Sequence, residues 1–287
     1  MSKPNFIGIG AMKAGTTWLY QCLSEHPEIH LPDKELNFFG DQDTWSMGFD
    51  WYEKQLKSDK KVTGEFSVFY LVHPYVAPRI HNRYPETKLI VCLRNPINRS
   101  FSHYLHDVRY GVFDKSLTFS EAIEQFPYLI KHSCYSVFIK EYLKYFSPQQ
   151  ILFLIYEDSL QNPLQYVQSV YKFLKVDDQF VPPSLRKKIH PSYNPRFNLL
   201  EKFIYRRALK IKTTKNYWLD KKIGKTVIKI LYLFAGVQWC ARIYIRLNKR
   251  KDLSTLVTNE QEKLKTYFQP EIKELEKLIN RPLTQWL

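Results

Sequence analysis

The sequence predicts an α/β protein: a parallel sheet between two layers of helices, three layers in all, followed by a basic helical extension. Three observations carry that expectation. Short apolar runs alternate with helix-length amphipathic segments through the first two-thirds of the 287-residue chain. Two of the runs, 88–93 and 151–156, are apolar without alternation, the pattern of strands buried on both faces. Beyond about Pro182 the pattern gives way to loop and then to lysine- and arginine-rich helical segments. Strands alternating with helices of this length imply right-handed crossovers in one sheet.

The elements follow in order. Residues 6–9 form a first strand, ended by glycines, and residues 16–25 a helix with apolar Trp18, Leu19, Cys22 and Leu23. A short strand is expected at 61–65, a helix near 74–83, and a buried strand at 88–93. Pro96 suits a first helical turn and opens the next helix. A helix at 135–146, a strand at 151–156 and a helix opened by Asn162-Pro163 and running through Leu174 complete the alternation. In the tail, 227–247 is the most apolar stretch, but Lys229, Gln238, Arg242 and Arg246 interrupt it and Gly236 breaks it. A spanning helix needs about 20 predominantly apolar residues, so a pair of amphipathic helices is expected in place of a span. Residues 1–287 are expected to form a single domain, with a core over about 5–180 and a basic helical region over about 196–287.

Composition narrows the class. Hydrophobic residues make up 44% and aromatic residues 16% of the chain, which excludes a disordered protein. No charged-then-apolar leader opens the sequence. The four cysteines, Cys22, Cys92, Cys134 and Cys240, show no C-x-x-C spacing, so free thiols and a cytoplasmic setting are expected. The net charge is +15, and residues 201–250 hold 14 lysines and arginines against two acidic residues. Tyr205, Tyr217, Trp218, Tyr232, Trp239 and Tyr244 are interleaved with these charges. The stretch reads either as a solvated helical face or as a surface that gathers an anionic polymer or lies peripherally on an acidic membrane; no sequence-specific nucleic-acid motif is present.

The chemistry is concentrated in two loops. Phe6-Ile-Gly-Ile-Gly-Ala-Met-Lys13-Ala14-Gly15-Thr16-Thr17-Trp18 is a strand, a tight loop and a helix start, which presents backbone N–H groups to a phosphate. The spacing Gly10-x4-Gly15-Thr16-Thr17 is nearly a P-loop of nucleotide triphosphatases. Thr16, however, stands where the lysine for the terminal phosphates belongs, and Lys13 comes three residues earlier. Directly after the buried strand at 88–93 comes Arg94-Asn-Pro-Ile-Asn-Arg-Ser-Phe-Ser102. An arginine at the mouth of that helix and a hydroxyl two turns on suit a second phosphate of the same ligand, with bidentate contacts from Arg94.

These two motifs together resemble those of sulfotransferases that use 3′-phosphoadenylyl sulfate. Lys13 to Thr17 resembles the family's loop for the 5′-phosphosulfate, and Arg94 with Ser102 resembles its 3′-phosphate motif. Lys34-Glu35-Leu-Asn-Phe38-Phe39 is similar to the Glu-x-x-Phe-Phe stretch of the heparan-sulfate and related carbohydrate branch. Tyr156-Glu157-Asp158 with Asn162-Pro163, and Leu283-Thr-Gln-Trp286-Leu287, are also similar to segments of this group, particularly of its bacterial members. The resemblance implies a P-loop-like core and transfer of a sulfuryl group to a hydroxyl or amine of a carbohydrate acceptor. It further implies that Lys13, Ala14, Gly15, Thr16, Thr17, Trp18, Arg94 and Ser102 hold the donor, that Glu35 is the base and Lys13 a catalytic cation, and that no metal is needed.

Sulfuryl transfer suits these residues: charge develops on the leaving phosphate, where Lys13 and the Thr16/Thr17 helix start supply donors, and a carboxylate takes the acceptor proton. Two positions depart from the pattern. Phe66, in Gly64-Glu65-Phe66-Ser67, stands where many relatives have a lysine, and Cys134 adjoins a position where a glycine often precedes Tyr135 by two. His30-Leu31-Pro32 superficially resembles the base motif of the cytosolic branch but lies elsewhere, and His103 and His106 read as helical packing residues. Two other readings remain at this level. One is a P-loop kinase or triphosphatase, and the other is a binding module for an anionic polymer or membrane surface.

Overall fold

Five strands form one parallel sheet, ordered β2-β3-β1-β4-β5: β1 (Phe6–Gly10), β2 (Ile29–His30), β3 (Val62–Phe66), β4 (Lys88–Leu93) and β5 (Ile151–Ile155). This is seen in a computed structural model, which describes residues 2–114, 116–187, 194–195, 249–250 and 258–287. The expectations for the rest of 201–250, for the apolar run 227–247 and for Cys240 lie outside the described residues. The helices are α1 (Thr16–Ser24), α2 (Gln42–Trp45), α3 (Gly48–Gln55), α4 (Val76–Arg83), α5 (Pro96–Tyr110), α6 (Phe119–Gln125), α7 (Tyr128–Lys131), α8 (Tyr135–Leu143), α9 (Tyr156–Gln161), α10 (Pro163–Leu174) and α11 (Thr258–Ile279). Among the described residues no helix is long and apolar enough to cross a membrane.

The chain divides into two compact units. One comprises Met1–Ser100, Pro127–His190 and Asn259–Leu287, and contains the sheet. Every residue of β1 and β3 is buried, as is all of β4 but Lys88, which requires cover on both faces; β5 is less enclosed than its alternation-free run predicts, with Leu152 and Phe153 half-buried. The central strand β1 has β3 on one side and β4 on the other, in register Phe6↔Gly64 and Phe6↔Lys88. Chain connections therefore diverge at the carboxyl ends of β1 and β4, which is where parallel sheets bind ligands.

Phe66 explains part of the β1 sequence. Its ring lies on Gly8, where an added Cβ would stand 2.1 Å from the ring. Phe6 and Tyr20 meet it edge-on at 6.2 and 6.3 Å. The position where the resemblance expects a lysine is thus a core position, 1% exposed. Cys22 and Cys92 are buried and free, and Cys134 is free and half-buried.

The other unit comprises Phe101–Phe126 and Pro191–Thr258. Its described part packs Phe101 and Tyr104 of α5 against Phe119 of α6, with centroids 5.2 and 5.4 Å apart. Thr118 and Glu121 form a capping box on α6. Asn194–Pro195 pairs antiparallel with Lys249–Arg250. His103 Nε2 lies 3.7 Å from Asp107 Oδ2, and His106 Nδ1 3.2 Å from Oδ1, so both histidines are engaged along α5.

Several boundaries differ from the sequence expectation. The two-residue strand β2 and the four-residue helix α2 are too short to leave a period, and α3 was not anticipated. The strand expected at 151–156 stops at Ile155, because Tyr156 already begins α9. The helix expected at 135–146 stops at Leu143, and that near 74–83 starts at Val76.

Candidate active site

The first loop is shaped by its glycines and by its neighbours. Gly10 has φ +142°, and a Cβ there would stand 2.7 Å from the Val68 carbonyl oxygen. Gly15, which caps α1, has φ +83°, and a Cβ there would stand 2.7 Å from the Tyr156 ring. Both positions therefore need glycine for conformation and for space. Lys13 is also left-handed, at φ 69°. The Ala11 N–H donates to the Cys92 carbonyl of β4 at 2.7 Å, tying the loop to the neighbouring strand. No acidic residue lies in the first turn of α1, so the positive end of its dipole faces the loop uncompensated from its own sequence. Ala14 and Thr16 are buried. Trp18 donates from Nε1 to the Leu185 carbonyl at 3.3 Å and packs on Tyr166 at 5.9 Å.

Arg94 joins this loop from the end of β4. Its Nη1 donates to the Lys13 carbonyl at 3.1 Å, and its guanidinium lies 4.8 Å over the Tyr156 ring. The same ring closes on Gly15 from the other side of the loop. Among the described residues Arg94 Nε is buried without a hydrogen-bond partner, a donor that a ligand or an ordered water would satisfy. Tyr135 donates to the Arg94 carbonyl at 2.9 Å. Ser133, two residues before Tyr135 where the glycine is expected, has no positive φ, so the backbone there does not require glycine. Ser102 lies on α5 in the other unit.

The turn after Arg94 is held by residues whose role the sequence did not disclose. Glu157 accepts from the Asn95 N–H at 3.0 Å and from Trp286 Nε1 at 3.1 Å. Asn95 Nδ2 donates to the Trp286 carbonyl at 3.2 Å, and its Oδ1 accepts from the N–H groups of Ile97 and Asn98 at the start of α5. Arg281 binds Asp158 at 2.8 Å. The segments around Tyr156 and Trp286 thus brace the arginine turn. Arg99, fully buried, is bound from Nε to Ser133 at 2.5 Å and also to the Leu129 carbonyl, a packing role.

Glu35 reaches the site on the segment after β2. Phe38 and Phe39 anchor that segment: both are fully buried, Phe38 stacked on Tyr52 at 4.7 Å and Phe39 meeting Tyr70 at 5.8 Å. The Asn37 N–H donates to Ser67 Oγ at 3.0 Å. Ser67 in turn donates to Glu65 Oε2 at 2.7 Å, and Tyr52 and Tyr70 donate to Oε1 at 3.2 and 2.9 Å. Lys34, which the sequence reading treated only as a neighbour of Glu35, has its ammonium 3.3 Å from Thr16 Oγ1 and 3.2 Å from Thr17 Oγ1. It lies 3.8 Å from Glu35 Oε1. The structure therefore brings together Lys13 to Thr17, Arg94, Lys34 and Glu35.

Glu65 titrates unusually. Burial pushes its carboxyl up to about 7, against the pull of its three hydroxyl donors and aided by the Glu35 charge. A raised folded-state value means that its contribution to stability is present below the ordinary carboxylate range and is lost as pH rises through about 7. Between roughly pH 4.5 and 7.5 the wild type should lose on the order of 3 kcal/mol relative to Glu65→Gln. Urea melts of both proteins across that range measure the difference, and parallel curves would refute it.

The chain's similarities agree with this geometry. A family model for the sulfotransferase domain matches residues 3–193. The chain belongs to the sulfotransferase family. Heparan sulfate glucosamine 3-O-sulfotransferase 5 of Mus musculus is 27% identical over 212 residues, covering 70% of this chain and 58% of that protein. The membrane-associated sulfotransferase kil1 of Dictyostelium discoideum is 38% identical over 119 residues, 39% of this chain and 25% of that protein. This sulfotransferase chain thus spans less than two-thirds of the length of these curated relatives. A solved sulfotransferase from Alicyclobacillus acidocaldarius superposes with a TM-score of 0.66 at 25% identity, covering 100% of this chain and 99% of that one. The parallel sheet and P-loop-like first loop are those of the sulfotransferase fold, and the kinase and triphosphatase reading falls away.

Proposed function

We propose that this sulfotransferase moves the sulfuryl group of 3′-phosphoadenylyl sulfate to a hydroxyl or amine of a carbohydrate acceptor. The carrying observation is the joint between the two loops: Arg94 fastened to the Lys13 carbonyl, with a buried Nε left unpaired. The loop, turned by the positive φ of Gly10, Lys13 and Gly15, and the cationic donor set fit a phosphosulfate. Lys13, Ala14, Gly15, Thr16 and Thr17 hold its 5′ end, Trp18 supports the loop from α1, and Arg94 holds the 3′-phosphate, for which the sequence motif also names Ser102. That donor supplies an activated sulfuryl group on a phosphate leaving group. Lys13 and the N-terminus of α1 stabilise charge on the departing oxygen, and Glu35 takes the acceptor proton. The Phe38-Phe39 anchor and the heparan sulfate enzyme among the relatives support a carbohydrate acceptor.

Transfer of labelled sulfate from the donor to heparan-type oligosaccharides tests the reading, with binding of adenosine 3′,5′-bisphosphate as its companion. Micromolar bisphosphate binding together with transfer is expected, and the absence of bisphosphate binding would overturn it. We further propose that 1–287 acts as one domain in the cytoplasm and that its basic stretch 201–250 gathers the anionic acceptor or rests peripherally on an acidic membrane. The charge of that stretch and the membrane-associated relative support this. Co-sedimentation with phosphatidylserine vesicles that weakens steeply with salt is expected; salt-independent or absent binding would oppose the membrane part.

A further inference from the structure

Lys34 occupies a place that a surface lysine would not. Its side chain is 13% exposed, and its ammonium, with three donors and no acceptor, spends two of them on the hydroxyls of Thr16 and Thr17. Glu35 Oε1 stands at 3.8 Å, within ion-pair distance but beyond hydrogen-bond range. The Tyr20 ring lies 6.0 Å away on another side. Burial lowers the pKa of Lys34, opposed by the Glu35 charge. A cation drawn this far from water, hydrogen-bonded to two neutral hydroxyls and paired with one carboxylate that it does not hydrogen-bond, keeps a third donor for a further partner. An arriving anion takes up that donor.

The direction of these hydrogen bonds matters. Because Thr16 Oγ1 and Thr17 Oγ1 accept from Lys34, their own O–H protons are free to turn toward a ligand and are polarised by the ammonium behind them. Lys34 also stands between the helix start that receives the phosphate end of the donor and the carboxylate that receives the acceptor proton. The group in transit has to cross that interval. From β3 no cation reaches it, since Phe66 is folded onto Gly8.

We propose that Lys34 is a catalytic residue whose ammonium binds the sulfuryl oxygens during transfer, between the Thr16/Thr17 end of the donor and the acceptor held by Glu35. This rests on the sulfotransferase reading above. In the step, the acceptor oxygen forms a bond to sulfur while the sulfur–bridging-oxygen bond breaks. The electron pair of the broken bond stays on the phosphate, and the acceptor proton passes to the Glu35 carboxylate. Lys34 gives up no proton. It neutralises charge on the equatorial oxygens as both partial bonds stretch.

The bisphosphate product carries no sulfuryl group, which separates this role from phosphate binding. In Lys34→Met, bisphosphate affinity is expected within about threefold of wild type, while kcat falls about 10²- to 10³-fold, the loss usual for one preorganised transition-state donor. Lys34→Arg should recover at least about tenfold of that loss, because it restores the charge. If Lys34→Met does not fold, Lys34→Gln, which keeps a donor for the threonines without the charge, carries the same comparison. A kcat within about threefold of wild type in Lys34→Met or Lys34→Gln would overturn the proposal. So would a loss of bisphosphate affinity as large as the loss of kcat, which would mark Lys34 as a phosphate ligand or loop support. A wild type that binds no bisphosphate would overturn the sulfotransferase reading along with it; a wild type that binds and turns over beside an unaffected variant would overturn Lys34 alone.

Discussion

Glu35→Gln is expected to bind adenosine 3′,5′-bisphosphate within about threefold of wild type and to lose turnover by about 10²- to 10⁴-fold, the range general-base catalysis supplies. The substitution is nearly isosteric, and the segment that carries it is anchored elsewhere: by Phe38 and Phe39 in the aromatic cluster and by the Asn37 N–H on Ser67. The position of the side chain should therefore survive while its ability to accept a proton is lost. Equilibrium titration with the bisphosphate and steady-state transfer on the same preparation separate the two effects. Turnover retained within about tenfold would move the base role to another group. Equal loss of binding and turnover would mean that Glu35 shapes the donor loop rather than acting on the acceptor.

Arg94→Ala is expected to weaken bisphosphate binding by roughly 10- to 100-fold, the worth of charge-assisted hydrogen bonds to a phosphate. Arg94→Lys should recover little of it, since the planar fork, its stacking on Tyr156 and its bond to the Lys13 carbonyl are specific to a guanidinium. Calorimetric titration gives the affinities. The informative control is adenosine 5′-phosphosulfate, which lacks the 3′-phosphate. If Arg94 serves that phosphate, the variant binds this ligand about as well as the wild type does. If both ligands lose equally, Arg94 acts through the loop it fastens, and the 3′-phosphate must be held by other groups.

These two results probe residues that were legible in different ways. The loop Lys13 to Thr17 and Arg94 could be read from the chain because local sequence carries their chemistry: glycines where φ is positive, a helix start, an arginine directly after a buried strand. Glu35 could be read only through its resemblance to a family segment, since a lysine–glutamate pair in a loop looks like any solvated surface. Lys34 and Glu65 were missed for the same physical reason. Lys34 matters because β2 and α1 bring it over Thr16 and Thr17, eighteen and seventeen residues away in sequence. Glu65 matters because burial among Tyr52, Ser67 and Tyr70 changes its proton affinity, and nothing in a strand's pattern marks one carboxylate as fully enclosed.

The bracing of the arginine turn makes the same point at longer range. Trp286 reaches Asn95 and Glu157 across separations of 191 and 129 residues, so no local period could reveal it. Phe66 is the converse. The sequence showed a phenylalanine where many relatives have a lysine, and the structure shows what that ring does: it fills the space above Gly8.

By itself the chain determined the alternation of buried strands and helices, the phosphate-directed loop and the arginine that follows β4, because backbone conformation and burial period are written in nearest neighbours. The tertiary structure decided which cation stands over the threonines and which carboxylate is enclosed. It also decided which residues hold the arginine turn, because those depend on strand order and on the free energy of moving charge out of water, which only the folded arrangement sets.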